Sequence, residues 1–149
     1  MMSTLRFLFI CLAALFFLGA CSSQNDEVPI RMVDPWIRAT MPGQTTAAGY
    51  IEFHSKKPVR LVKVSSPQAS AVGIHRTVHE NNVMRMEELG ALDIPANQTV
   101  TLAPNGLHFM LTDLKAALTV GDEATLSFTF EFADKSSLQL NALAEVRAN

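Results

Sequence analysis

Residues 124–132 read ATLSFTFEF, and their alternation decides the fold class. Leu126, Phe128, Phe130 and Phe132 recur at every second position, the period at which a strand returns to the same face. Period-2 aromatics are ordinary sandwich core, so the segment is read as a strand lining an apolar interior and not as a binding groove. Gly121-Asp122 precedes it, and Asp134-Lys135 turns the chain into a further run, Leu138–Val146. Upstream lie Ala47–Ser55, Val59–Ser65, Val72–His79, Val83–Leu89, Val100–Ala103 and Leu107–Leu111. Asn81-Asn82 and Pro104-Asn105-Gly106 supply turn chemistry between them. Strands this short and this regularly spaced predict an all-β sandwich or barrel in a single domain. Only Thr112–Leu118 offers a turn of helix.

The first residues belong to a different physical regime. The apolar run from Phe7 to Ala20 follows Arg6 and ends in small residues. It is shorter than the ~20 residues of a membrane span and has the build of a secretory signal. Leu18-Gly19-Ala20-Cys21 resembles the lipobox of bacterial lipoproteins, in which cleavage exposes a cysteine that carries acyl chains. Residues 1–20 are therefore expected to be a signal peptide, 21–29 a tether lipidated at Cys21, and 30–149 the folded domain. The expected location is periplasmic and membrane-anchored. In a Gram-negative cell, Ser22 after the cysteine favours the outer membrane.

Composition narrows the function. The chain is 48% hydrophobic and 17% charged, which fits a globular domain with a real core. Removing Arg6 with the signal shifts the net charge from −2 to −3, and no basic patch for nucleic acid exists. Cys11 leaves with the signal and Cys21 takes lipid, so the domain contains no thiol. Disulfides, a cysteine nucleophile and thiolate metal ligands are excluded.

Four His and five Met remain, and His75, His79, Met84 and Met86 fall within 12 positions. Strand alternation puts His75 and His79 opposite the face of Val72, Ile74 and Val78. His108 and Met110 likewise stand opposite Leu107, Phe109 and Leu111. An even loop at Asn81-Asn82 puts His75 and His79 on the same face as Met84 and Met86, and an odd loop splits them. The sequence favours the short even loop. Imidazole and thioether donors together suit Cu(I), and they suit Mg²⁺, Ca²⁺ and Mn²⁺ poorly. Zinc usually recruits Cys or carboxylate in addition.

The spacing His75-x10-Met86-x21-His108-x-Met110 resembles the signature of the periplasmic PCu(A)C copper chaperones. So do the flanking stretches Asp34–Thr40, Thr46–Tyr50, Val83–Met86 and Pro104–Leu111. The resemblance implies a cupredoxin-like Greek-key β-sandwich with an accessible Cu(I) site formed by His75, Met86, His108 and Met110. It also implies copper delivery toward the binuclear copper centre of cytochrome c oxidase, with that copper-centre subunit and Sco-type assembly proteins as partners. His79 and Met84 are not motif positions; parity leaves His79 open as an auxiliary ligand or way-station, against the commoner case of a solvated strand histidine. The chain ends in AEVRAN without the His- and Met-rich tail of some members, so no second site is expected there. His54 has no account in this scheme.

Three rivals are weaker. A blue-copper electron carrier needs a cysteine thiolate. An enzyme needs a nucleophile–base pair or carboxylate dyad, and no spacing supports one. A storage or detoxification lipoprotein, or a scaffold with incidental His and Met residues, keeps the fold and differs in use.

Overall fold

The computed structural model describes residues 28–148. The expected signal 1–20, Cys21 and the tether as far as residue 27 lie outside the described residues. Ten strands follow: β1 (Ile30–Arg38), β2 (Ala47–Ser55), β3 (Val59–Ser65), β4 (Ala69–Glu80) and β5 (Val83–Leu89), then β6 (Leu92–Ile94), β7 (Thr99–Leu102), β8 (Leu107–Leu114), β9 (Glu123–Phe132) and β10 (Ser137–Arg147). The fold is all-β and cupredoxin-like. Hydrogen bonding runs in the order β5-β4-β8-β2-β1-β10-β9-β3-β6, and a β3–β4 pairing at Val64 and Val72 brings the sheet back on itself. β5, β6 and β7 lie off that ring, with β5 paired to β4, β6 to β3 and β7 to β2. β1 and β10 run parallel, and the other strand pairings are antiparallel.

The core forms where alternation put it. Leu126, Phe128 and Phe130 are fully buried, and Phe132 packs partly buried against them. Phe53 sits edge-on to Phe109, Phe128 and Phe130, with ring centroids 6.3, 5.4 and 5.6 Å away. Edge-to-face pairs add roughly 0.5–1.5 kcal/mol each beyond the burial of their surface. This cluster lies directly behind β8, because Phe109 faces inward while His108 and Met110, its chain neighbours, take the other side of the strand.

One expectation changes. No helical turn forms over 112–118. Thr112 and Leu114 extend β8 by pairing with Ala71 and Ala69 of β4. Leu118 is buried, its N–H donating to Thr40 Oγ1 at 3.0 Å and its carbonyl accepting from Thr40 N at 2.9 Å. These long-range bonds outweigh a weak local preference for helix. Just ahead of β1, the Pro29 carbonyl accepts from Lys56 N at 2.9 Å.

Candidate metal centre

The β4–β5 hairpin turns on Asn81-Asn82, whose φ angles of +50° and +61° suit the tight turn that favours Asn and Gly. The loop is even, with Glu80 pairing Val83, His79 pairing Met84, Thr77 pairing Met86 and His75 pairing Glu88. Directly paired residues share a face, so His75, Thr77, His79, Met84, Met86 and Glu88 all project to one side. On the other flank of β4, His75 pairs His108 and Gly73 pairs Met110. Three strands thus bring both imidazoles and both motif thioethers to one surface.

The side chains close the arrangement. His108 Nε2 lies 3.3 Å from Met86 Sδ. Metal–nitrogen and metal–sulfur bonds of ~2.0 and ~2.3 Å set two donors of a tetrahedral centre about 3.5 Å apart, so this pair already has the separation of co-ligands. The rings of His75 and His108 stack with centroids 5.9 Å apart and planes 20° from parallel. Met110, half-buried, is held beside them by its pairing with Gly73 on one flank and Ala48 of β2 on the other.

Exposure divides the donors. His108 is 6% exposed and Met86 59%. His108 is also fixed in rotation, because its Nδ1 lies 3.0 Å from the Gly106 carbonyl and donates to it. That carbonyl accepts from Thr77 N at 3.1 Å as well. The loop 103–106, looped out between β7 and β8 where they pair β2 in succession, is thereby pinned to β4. A proton on Nδ1 leaves the Nε2 lone pair facing the Met86 sulfur, the usual way an outer partner orients a ligating histidine.

Gly73 and Glu88 also shape the site. A Cβ on Gly73 would stand 2.7 Å from His75 Nε2 and 3.2 Å from Glu88 Oε1, so the imidazole and the carboxylate converge over the bare glycine. Glu88 gives the donor cluster a negative neighbour, where the motif residues by themselves carry no charge. Counting two residues on from Met86 along the strand would have found it. Nothing local in the sequence marks the role of Gly73 or of the Gly106 carbonyl. His54 stands between Arg31 of β1 and Thr99 of β7 and does not join the cluster. Among the described residues no group of three or more His, Cys, Asp or Glu could hold a metal ion.

A cupredoxin-like sandwich with an imidazole–thioether cluster on one face is the class that fold and side chains define. The chain belongs to the LpqE-like family, whose model matches residues 30–142. It is 35% identical over 115 residues to the lipoprotein-named Lxx21020 of Leifsonia xyli subsp. xyli, spanning 76% of this chain and 67% of that one. It is 31% identical over 121 residues to RP573 of Rickettsia prowazekii, spanning 74% and 67%. Similar solved structures include the copper-bound PCuAC domain from PmoF2, at 27% identity and a TM-score of 0.62, covering 81% of this chain and 94% of that one. Another is the Cu(I) form of DR1885 from Deinococcus radiodurans, at 28% identity and a TM-score of 0.61, covering 85% and 84%.

Proposed function

We propose that this chain is a non-enzymatic, extracytoplasmic Cu(I) carrier whose ligands are His75, Met86, His108 and Met110. The observation that carries the reading is the 3.3 Å approach of His108 Nε2 to Met86 Sδ, with the Nδ1 proton committed to Gly106. The soft, neutral donor set supports Cu(I) over harder divalent ions. Two similar domains, one copper-bound and one in the Cu(I) form, support it further.

The unequal burial of the donors supports carriage and handover over storage. Thioethers bind without deprotonation and exchange one at a time against an incoming soft ligand. Met86, on an exposed edge strand, is the first ligand to be displaced, while His108 holds the ion from the buried side. Cys21 behind the apolar run, together with a lipoprotein-named family and one lipoprotein-named relative, supports attachment to a membrane by lipid, facing the periplasm in a Gram-negative cell. The recipient is the binuclear copper centre of cytochrome c oxidase, reached with a Sco-type protein, and this step rests on the family resemblance.

Titration of Cu(I) against a high-affinity chelator tests the site, with wild type beside Met86→Ala and His108→Ala. One tight equivalent in the wild type and its loss in both variants is the expected result. Unchanged affinity in either variant removes that residue from the ligand set.

A further inference from the structure

The donor face of the β4–β5 hairpin does not stop at Met86. His79 and Met84 are direct cross-strand partners at the hairpin tip, one alternation step beyond the Thr77–Met86 pair. Met86 meets His108, so its face is the face of the cluster, and His79 and Met84 share it. Both tip side chains are exposed, Met84 at 64%. Cross-strand Cβ atoms stand about 4.5–5.5 Å apart, within the reach of an imidazole and a thioether closing on one ion. Every residue from Val83 to Glu88 on this edge strand is exposed, so the core does not account for a methionine here.

Resting on the Cu(I)-carrier reading, we infer that His79 and Met84 form a second, weaker Cu(I) site, an outlet through which the ion enters and leaves the main cluster. One imidazole and one thioether offer two ligands in place of four, so the tip binds less tightly. Met84 and Met86 lie two positions apart on the strand, a step of about 7 Å along the same face. Transfer between them is ligand exchange alone. A bond from copper to Met84 or to the neutral ring of His79 forms as one to Met86 or His108 breaks, with no change of oxidation state. The Asn81-Asn82 turn sets the tip pair in register, at the place where a partner's donors first meet the protein.

The test is anaerobic Cu(I) titration of the full domain, followed through the methionine methyl and imidazole NMR signals. Wild type is compared with the double variant His79→Ala/Met84→Ala and with Met86→Ala/His108→Ala. In the wild type, the first equivalent should shift Met86 and His108, and a second should shift Met84 and His79. The tip variant should keep the first equivalent and lose the second, and the main-site variant should bind copper at the tip only. A wild type that takes one equivalent and leaves the Met84 and His79 signals unmoved at excess Cu(I) overturns the outlet and leaves the carrier reading standing. A wild type with no tight first equivalent overturns the carrier reading itself. All four substituted residues of interest except His108 are exposed or on the edge strand, and circular dichroism confirms folding of each variant.

Discussion

The imidazole of His75 lies across Gly73, with Nε2 2.7 Å from where a Cβ on that glycine would stand. The absence of a side chain at Gly73 is thus what lets His75 lean toward the position that Met110 faces across the strand pair. A methyl group there collides with a side chain that can rotate away, not with backbone. Gly73→Ala should therefore fold normally while displacing His75, and it should lower Cu(I) affinity by roughly 10–100-fold, as loss of ligand support typically does. Chelator competition on the folded variant measures this. Wild-type affinity would mean that the orientation of His75 does not matter to the site.

Met86 and His108 should separate binding from stability. Met86 is more than half exposed, and Met86→Ala should shift unfolding free energy by no more than ~0.5 kcal/mol. His108 is buried and bonded to the Gly106 carbonyl, so His108→Ala should cost about 1–3 kcal/mol through the lost hydrogen bond and lost packing. Urea unfolding of the metal-free variants distinguishes them. Equal destabilisation by the two would contradict the proposed division of labour between an exposed, departing ligand and a buried, anchoring one.

Much of this arrangement is legible in the sequence, for identifiable reasons. Alternation at 126–132 maps directly onto burial because one face of β9 has nowhere to go but the core. The two asparagines at 81–82 fix the hairpin parity, and parity fixes which His and Met share a face. What is not legible depends on strands distant in the chain. Residues 112–118 follow β4 and Thr40 instead of their own weak helical preference. The closure of β3 on β4 and the parallel β1–β10 pairing have no local signature. Neither does the choice of Gly106 as the carbonyl that steers His108, because its second donor, Thr77 N, comes from another strand.

The acid limb of stability should depend on Asp34. This residue, at φ +49° beside a register shift in β1, accepts from Arg147 of β10 at 3.0 and 2.6 Å. The Arg147 hydrogen bonds hold its carboxyl below the ordinary value of 3.8. A carboxyl with a lower pKa when folded binds protons more weakly than in the unfolded chain. Its contribution is complete above about pH 4 and disappears as pH falls through the folded value. Thermal unfolding between pH 5 and pH 2 should show a steeper loss in wild type than in Asp34→Asn. The slope will not vanish in the variant, because Thr119 and Ser136 lower Asp122 and Asp134 in the same way. Added salt should shrink the difference, since the Asp34–Arg147 pair is exposed. Parallel curves for the two proteins would show that the pair contributes nothing.

The tautomer of His108 follows from the same carbonyl that pins the 103–106 loop. Gly106 O is an acceptor only, so the ring nitrogen 3.0 Å from it has to carry the proton. In the neutral ring this assigns N–H to Nδ1 and a lone pair to Nε2, the nitrogen that faces Met86 Sδ. Long-range nitrogen–proton NMR spectra of the metal-free domain in mildly alkaline buffer should show His108 as the Nδ1–H form. On addition of Cu(I), Nε2 should be the nitrogen whose signal moves. An Nε2–H tautomer would turn a donor toward the methionine sulfur and leave no lone pair for an ion. The buried half of the proposed site would then have to be built some other way.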